Sequence, residues 1–265
     1  MFHCLNVRKF IHIYVLLLLA LIILIGILLY YYSSPTISEG MSNKYCAVIV
    51  EPRKHKALSH VLKNAVENLD DNWEIIILHG NQNEQYVIDI LDDQLKEDKH
   101  RIMMHNLNVD NLTIEEYNDL LTSKKFYDYV PYEYFLIFQT DSIICEDFKQ
   151  IIYDFIDYDY VGAPQEHWVG NGGLSLRKKS KMLEIVEKDK RKPNENEDLF
   201  FTKKEHNLNI PSKETAGKFS NEHIYTDESF GVHKPWAYFS EENFMKKCSK
   251  CKGLLELKNL NKEET

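Results

Sequence analysis

The sequence predicts a single α/β domain with a mostly parallel central sheet, preceded by one N-terminal transmembrane helix. Two observations support this. From residue 45 onward, short apolar runs rich in β-branched residues alternate with segments whose apolar residues recur every three or four positions. That alternation is typical of a sheet covered by helices. Residues 10–32 form an uncharged apolar run long enough to cross a bilayer as a helix.

The N-terminal run also predicts a topology. Arg8 and Lys9 precede it, whereas residues 33–39 contain no Lys or Arg. The positive-inside rule therefore puts residues 1–9 in the cytoplasm and the domain on the lumenal or extracytoplasmic side, as in a type II protein of a Golgi-like, ER-like, viral or cell-surface membrane. A cleaved signal peptide is the alternative. The run is longer than the usual apolar region of such peptides and ends in Tyr30–Tyr32, which suits an interfacial aromatic belt.

The remaining chain divides by composition into three parts. Residues 33–44 are polar and predict a short stem, residues 45–240 are sufficient for one core, and residues 241–265 form a charged tail. The formal net charge of −9 argues against nucleic acid as a partner, because phosphate binding needs clustered cations.

The predicted elements follow one another through the domain. Strands are expected at apolar, β-branched runs, and the run 134–138 is the most apolar and therefore central. The predicted strands are 45–50, 74–79, 101–105, 134–138, 160–162 and 174–176. The predicted helices are 58–69, 85–95, 148–156 and 198–206.

The cysteines and one sequon bear on the compartment. Cys46 and Cys145 lie in apolar runs and are expected to be buried small hydrophobes. Cys248 and Cys251 form a single Cys-x-x-Cys motif. A zinc site would need a second pair of ligands, whereas a disulfide between these two cysteines is one possibility in a lumenal compartment. Asn111 begins an Asn-Leu-Thr sequon and is a predicted glycosylation site if the domain is lumenal.

Four polar motifs lie beside apolar runs, where a parallel sheet gathers its ligands. Asp141 follows the central strand and suits Mg²⁺ or Mn²⁺, although a turn or helix cap is the structural alternative. Gly172 and Gly173 allow a close backbone approach to a ligand, or form an ordinary turn. The four motifs are Phe138–Ser142, Gly170–Gly173, Asn196–Asp198 and Gly231–Trp236.

The last two motifs carry the groups best suited to catalysis. Glu197 and Asp198 stand at a predicted helix start; one of them is the expected general base, and an N-terminal cap is the alternative. His233 offers an imidazole to a metal and Lys234 a cation to phosphate, while Trp236 can wall a sugar or base pocket.

Taken together, these residues resemble the GT-A glycosyltransferases, which use nucleotide sugars. The acidic end of the central strand resembles their Asp-x-Asp region, and His233–Trp236 resembles the His…Lys-Pro-Trp segment of the glycogenin and bacterial galactosyltransferase branch. The segments Gln139–Ser142, Val169–Arg177, Asn196–Asp198 and Phe230–Trp236 more closely resemble an uncharacterised glycosyltransferase-like domain family. The likeness extends from residue 45 to residue 236.

The resemblance implies a role for each residue that matches. The implied metal ligands for Mn²⁺ or Mg²⁺ are Asp141 and His233, and the implied catalytic residues are Asp198 and Glu197. The implied donor and substrate contacts are Glu51, His79, Gly80, Asn171, Gly172, Gly173, Lys234 and Trp236. The sequence departs from the family pattern at Gln139, where a second carboxylate is usual.

The expected function is therefore that of a membrane-anchored glycosyltransferase. It would move a sugar from a nucleotide-diphosphate donor to a hydroxyl on a glycan, protein or lipid. A catalytically inactive sugar- or nucleotide-binding membrane protein on the same fold is the alternative. A nucleotidyltransferase is a weaker one, because the loop 51–55 is basic but lacks glycine.

Overall fold

The computed structural model describes residues 45–262, which form an α/β domain. The predicted cytoplasmic segment 1–9, transmembrane segment 10–32 and stem 33–44 lie outside the described residues. Among residues 45–262, no helix has the length and apolar character needed to cross a membrane.

Six strands form the central sheet in the order β3-β2-β1-β4-β7-β6, and three more form a small second sheet in the order β5-β9-β8. The strands are β1 (Tyr45–Val50), β2 (Trp73–His79), β3 (Ile102–Asn106), β4 (Tyr134–Phe138), β5 (Ser142–Ile144), β6 (Tyr160–Pro164), β7 (Val169–Lys178), β8 (Ser220–Asn221) and β9 (Gly231–His233).

The central sheet is mixed: three of its five strand pairings are parallel, as predicted, and two are antiparallel. Strands β1 to β4 pair in parallel, but β7 runs antiparallel between β4 and β6. The reason lies in the loop 165–168 between β6 and β7. A connection this short can join antiparallel neighbours, whereas a parallel pair needs a crossover of a dozen or more residues.

Eight α-helices lie within the described part of the chain. They are α1 (Leu58–Asn68), α2 (Glu84–Gln94), α3 (Ile114–Leu121), α4 (Lys179–Lys188), α5 (Glu197–Phe201), α6 (Lys213–Phe219), α7 (Glu241–Lys250) and α8 (Leu254–Lys262). The predicted helix 148–156 is a 3-10 helix over Glu146–Phe155. The predicted helix 198–206 divides into α5 and a 3-10 helix over Lys204–His206.

Both faces of the sheet are covered, and the strands β1, β2 and β4 each contribute to two apolar clusters. In β1, Ala47 and Ile49 pack with the buried face of α1, while Cys46 and Val48 join the cluster on the opposite face. This two-sided burial follows from the alternation of side chains along a strand. It also explains why β1, β2 and β4 are apolar almost throughout.

The segment predicted as a charged tail contains α7 and α8, and both helices contribute to the core. Phe244, Leu254 and Leu257 are buried there. A disulfide joins Cys145 to Cys251. Cys145 is therefore not a free buried thiol, and Cys251 pairs with it rather than with Cys248, which is free.

Candidate functional site

A cavity of about 400 Å³ opens where β1, β4 and β9 end. Several separate segments line it, so residues far apart in the chain meet there. The predicted site residues among its walls are Glu51, Asp141, Asn171, Gly172, Gly173, Glu197, Asp198 and His233. The sequon residue Asn111 is exposed and also lines this cavity.

Asp141 and His233 meet because of the small sheet. Ser142 of β5 is in register with His233 of β9, and Asp141 immediately precedes β5. Asp141 Oδ1 lies 3.2 Å from His233 Nε2. On the other side of the ring, His233 Nδ1 lies 3.2 Å from Glu222 Oε1. The imidazole is thus flanked by two carboxylates.

The electrostatics of this group follow from burial and charge. Burial lowers the pKa of His233, but the carboxylates of Asp141 and Glu222 outweigh that effect and raise the pKa to about 10. For Asp141, burial raises the pKa, yet the neighbouring His233 and Lys234 give a net lowering. Both shifts favour the charged forms.

The pair can supply two ligands to a divalent cation. Asp141 Oδ1 is buried, and its charged neighbour is His233 Nε2, with which it makes no aligned hydrogen bond. Two ligands at about 2.2 Å and at right angles are roughly 3.1 Å apart, close to the separation of Asp141 Oδ1 and His233 Nε2. Within the described part of the chain, no group of three or more His, Cys, Asp or Glu side chains is arranged to hold a metal. A bound cation would therefore take its remaining ligands from substrate or water.

Asp198 is another carboxylate that lines the cavity. Gly172 N donates to its Oδ2 at 3.0 Å, and Leu199 N donates to its Oδ1 at 2.7 Å. Burial, with a smaller contribution from the charge of Glu197, raises the pKa of Asp198 to about 6. A carboxylate with this pKa is ionised at neutral pH and takes up a proton more readily than an ordinary aspartate.

Glu197 occupies a different environment, although it is adjacent in the chain. Its carboxylate accepts two hydrogen bonds from Arg177, Nη1 to Oε2 at 2.6 Å and Nη2 to Oε1 at 2.7 Å. Arg177 also lies over the rings of Tyr160 and Phe201. This pairing engages both oxygens of Glu197, which distinguishes it from Asp198 as a proton acceptor.

The two glycines of the Gly-rich motif are required by close contacts. A Cβ on Gly172 would lie 2.3 Å from Glu197 Oε1. A Cβ on Gly173 would lie 2.2, 2.4 and 2.5 Å from His233 Nε2, Cε1 and Cδ2. These nearly equal distances put Gly173 over the ring face. Both residues therefore let the side chains of Glu197 and His233 pack against β7. The close approach of these glycines to a ligand stays a prediction.

Glu51 lines the cavity at the end of β1 and is held by its neighbour Arg53, whose backbone N, Nε and Nη2 donate to the carboxylate at 2.8–2.9 Å. Buried Asn83 supports this loop by donating to the carbonyl oxygens of Glu51 and Arg53. It also accepts from Gly80 N.

Four of the predicted contacts are not among the residues that line the cavity. His79 is buried beside Gly80, and a Cβ on Gly80 would meet Val109 O at 2.6 Å, so both residues serve packing. Lys234 is exposed, and its backbone N donates to Asp141 O at 2.9 Å. Trp236 packs against the core.

The sequence motifs predicted no role for Arg177, Asn83 or Glu222. Arg177 ends the Gly-rich segment that carries the family resemblance, so its place in that motif was an available signal. Glu222 and Asn83 have no such signal, because their contacts depend on how separate strands and loops meet.

The fold is similar to that of two solved glycosyltransferases. With glycosyltransferase GlyE of Streptococcus pneumoniae TIGR4 the TM-score is 0.51 at 13% identity, over 83% of this chain and 63% of that one. With galactosyltransferase LgtC, in complex with donor and acceptor sugar analogs, the TM-score is 0.50 at 11% identity, over 82% and 94%. At such identities the likeness shows the fold, which is GT-A-like.

Among curated proteins, none matches this sequence. The family model for "Protein of unknown function (DUF5672)" matches residues 101–233, half of the chain. That stretch contains Asp141, Gly172, Asp198 and His233, so it includes most of the residues that line the cavity from β4, β7 and β9. The chain therefore belongs to the family described as protein of unknown function DUF5672.

Proposed function

We propose that this protein is a glycosyltransferase that moves a sugar from a nucleotide-diphosphate donor to a hydroxyl acceptor. One observation carries the proposal: Asp198 and the pair Asp141–His233 line the same cavity of a GT-A-like fold. Asp198 is suited to taking up a proton, and the Asp141–His233 pair is suited to holding a cation that is bound to the donor diphosphate. Sugar transfer with inversion at the anomeric carbon uses these two capacities close together, whereas a retaining transfer does not need Asp198 as the base.

The donor diphosphate would lie at the Asp141–His233 end. A bound Mg²⁺ or Mn²⁺ would be held there by Asp141 and His233, and it would offset the negative charge that develops on the leaving diphosphate. Lys234 is exposed next to Asp141 and adds a positive charge at the same end. Electrostatic help at the leaving group is where such a site gains most of its rate.

The acceptor would approach Asp198. Its hydroxyl oxygen attacks the anomeric carbon, the bond from that carbon to the diphosphate oxygen breaks, and the hydroxyl proton passes to the Asp198 carboxylate. Hydrogen bonds from Gly172 N and Leu199 N hold that carboxylate in place. The presence of an acceptor sugar analog in the LgtC complex supports a sugar hydroxyl as the acceptor.

We further propose that residues 10–32 anchor the domain on the extracytoplasmic side of a membrane. The Cys145–Cys251 disulfide supports this, because disulfides persist in oxidising compartments. The exposed Asn111 sequon would be glycosylated there. In sealed microsomes the domain should resist protease, and a glycosidase-sensitive mobility shift should disappear in Asn111→Gln. Digestion of the domain without detergent would contradict the topology.

The activity itself is tested by incubating the full chain, purified in a mild detergent, with a panel of nucleotide sugars and simple glycan acceptors. Release of free nucleoside diphosphate is followed with added Mn²⁺ and with EDTA. The proposal predicts release from at least one donor. Donor binding in thermal-shift assays without any release would instead support the sugar- or nucleotide-binding role, and neither binding nor release would refute both.

A further inference from the structure

The small sheet aligns three titratable residues from three separate segments. Its strand order is β5-β9-β8, with Ser142 opposite His233 and Asn221 opposite Val232. Asp141 immediately precedes β5, and Glu222 immediately follows β8. The strand pairing therefore sets a carboxylate on each side of His233, and the alignment is a property of the sheet rather than of one flexible loop.

Glu222 is a buried carboxylate with few partners. Its side chain is 4% exposed, and Oε1 lies 3.2 Å from His233 Nδ1. Oε2 accepts from Gln165 Nε2 at 3.3 Å and lies 4.0 Å from His223 Nε2. Removing a carboxylate from water is costly unless it is paired and hydrogen-bonded. His233 is the nearest ionisable partner that compensates this burial.

The two nitrogens of His233 face different surroundings. Asp141 and His233 line the cavity, whereas Glu222 is not among its lining residues. A ligand in the cavity therefore meets the Nε2 side of the ring, next to Asp141. His233 Nδ1 is buried and has no aligned hydrogen bond among residues 45–262, and Glu222 Oε1 is the acceptor within reach.

We propose that Glu222 is a positioning residue for His233: its carboxylate accepts a hydrogen bond from Nδ1–H, which leaves Nε2, beside Asp141, as the nitrogen that binds a divalent cation. This inference rests on the metal role in the proposed function. A histidine that binds metal through one nitrogen usually donates its other N–H to a carboxylate or carbonyl, which fixes the ring and its tautomer. Gly173, which covers the ring face, leaves the imidazole little room to turn.

The test measures how tightly the full chain binds Mn²⁺ in the absence of any nucleotide sugar. Free Mn²⁺ is quantified by its electron paramagnetic resonance signal. Glu222→Gln should raise the Kd for Mn²⁺ by about 10- to 100-fold, the usual effect of losing such an outer partner. The matched control is Asp159→Asn, since Asp159 is a buried carboxylate at the opposite end of the sheet that accepts from Asn209 N. It should leave the Kd unchanged.

A second readout does not depend on Glu222→Gln; the signals of His233 are assigned by their absence in His233→Gln. In proton–nitrogen correlation spectra of the wild-type chain labelled at histidine and loaded with Zn²⁺, His233 should keep its proton on Nδ1 and bind metal through Nε2. Metal on Nδ1, an unchanged Kd in Glu222→Gln, or no Mn²⁺ binding by the wild-type chain would each overturn the inference. Weakened Mn²⁺ binding in Glu222→Gln together with no nucleoside diphosphate release from any donor would support Glu222's role while refuting the transferase.

Discussion

Arg177 and Glu197 face each other in a buried two-point ion pair, with Nη–Oε distances of 2.6 and 2.7 Å. Their side chains are 1% and 5% exposed. The pair packs against Gly172, and Glu197 lines the cavity beside Asp198. The two adjacent carboxylates therefore differ: Glu197 is paired with a cation, whereas Asp198 accepts hydrogen bonds from the backbone N–H groups of Gly172 and Leu199.

Breaking this pair should destabilise the fold. Glu197→Ala leaves the Arg177 guanidinium buried without its partner, and we expect a loss of about 3–5 kcal/mol in the free energy of unfolding. Urea unfolding of the full chain measures it. The control is Glu184→Ala, which removes an exposed pair with Lys188 and should cost less than about 1 kcal/mol. A Glu197→Ala chain as stable as the wild type would contradict the structural role.

Gly173→Ala should disable the site without a change in charge. The added Cβ would overlap the His233 ring, so the imidazole must move away from Asp141. We expect Mn²⁺ binding to fall by at least about 10-fold. The control is Gly217→Ala, whose nearest neighbour, Thr226 Cγ2 at 2.8 Å, belongs to a side chain. Unchanged Mn²⁺ binding in Gly173→Ala would show that His233 does not hold the metal.

His233 should make stability depend on pH in the metal-free chain. Its pKa in the folded state is about 10, above the ordinary value of 6.5, because Asp141 and Glu222 favour the charged ring over the opposing effect of burial. The contribution of protonated His233 to the free energy of unfolding is therefore fully present below pH 6.5, and it is lost as the pH rises through about 10. The difference in unfolding free energy between wild type and His233→Gln should shrink over that window. A difference independent of pH would contradict the assignment.

Substitutions of Cys251 and Cys248 should differ in their effect on stability, because Cys251 belongs to the disulfide and Cys248 is free. Cys145 and Cys251 are 106 residues apart, and closing a loop of about 100 residues stabilises a fold by about 4.7 kcal/mol in the chain-entropy model. Cys251→Ser should therefore lower the melting temperature under non-reducing conditions. Cys248→Ser should not, because Cys248 is free. Equal effects of the two substitutions, or no effect of a reductant on the wild type, would contradict the pairing.

Much of the sheet was predictable because burial on both faces makes β1, β2 and β4 apolar almost throughout. The reversed direction of β7 could not be predicted in this way, because it depends on the length of the loop 165–168 and not on the residues of the strand itself. The charged surface of α7 and α8 concealed a buried face that includes Phe244 and Leu257. Their packing needed a partner surface that local pattern does not describe.

The candidate site was also predictable only for some of its residues. Asp141, Asp198 and His233 belong to motifs at element ends, and the structure brings them to one cavity. His79 also ends a strand, but its side chain is buried and does not line the cavity. Successive side chains of a strand point to opposite faces, so the position of a residue at a strand end does not decide whether it reaches the cavity. The Arg177–Glu197 pair joins residues 20 positions apart on different elements. Its existence depends on tertiary packing.

The assignment of Asp198 as the base is tested by Asp198→Asn, compared with the Asp159→Asn control in the nucleoside diphosphate assay. We expect Asp198→Asn to lower kcat by about 10²- to 10⁴-fold with donor Kd nearly unchanged, because the base is lost and the fold is kept. The wild-type rate should fall as the pH drops through about 6, where Asp198 becomes protonated. Wild-type turnover by the Asp198→Asn chain would show that Asp198 is not the base.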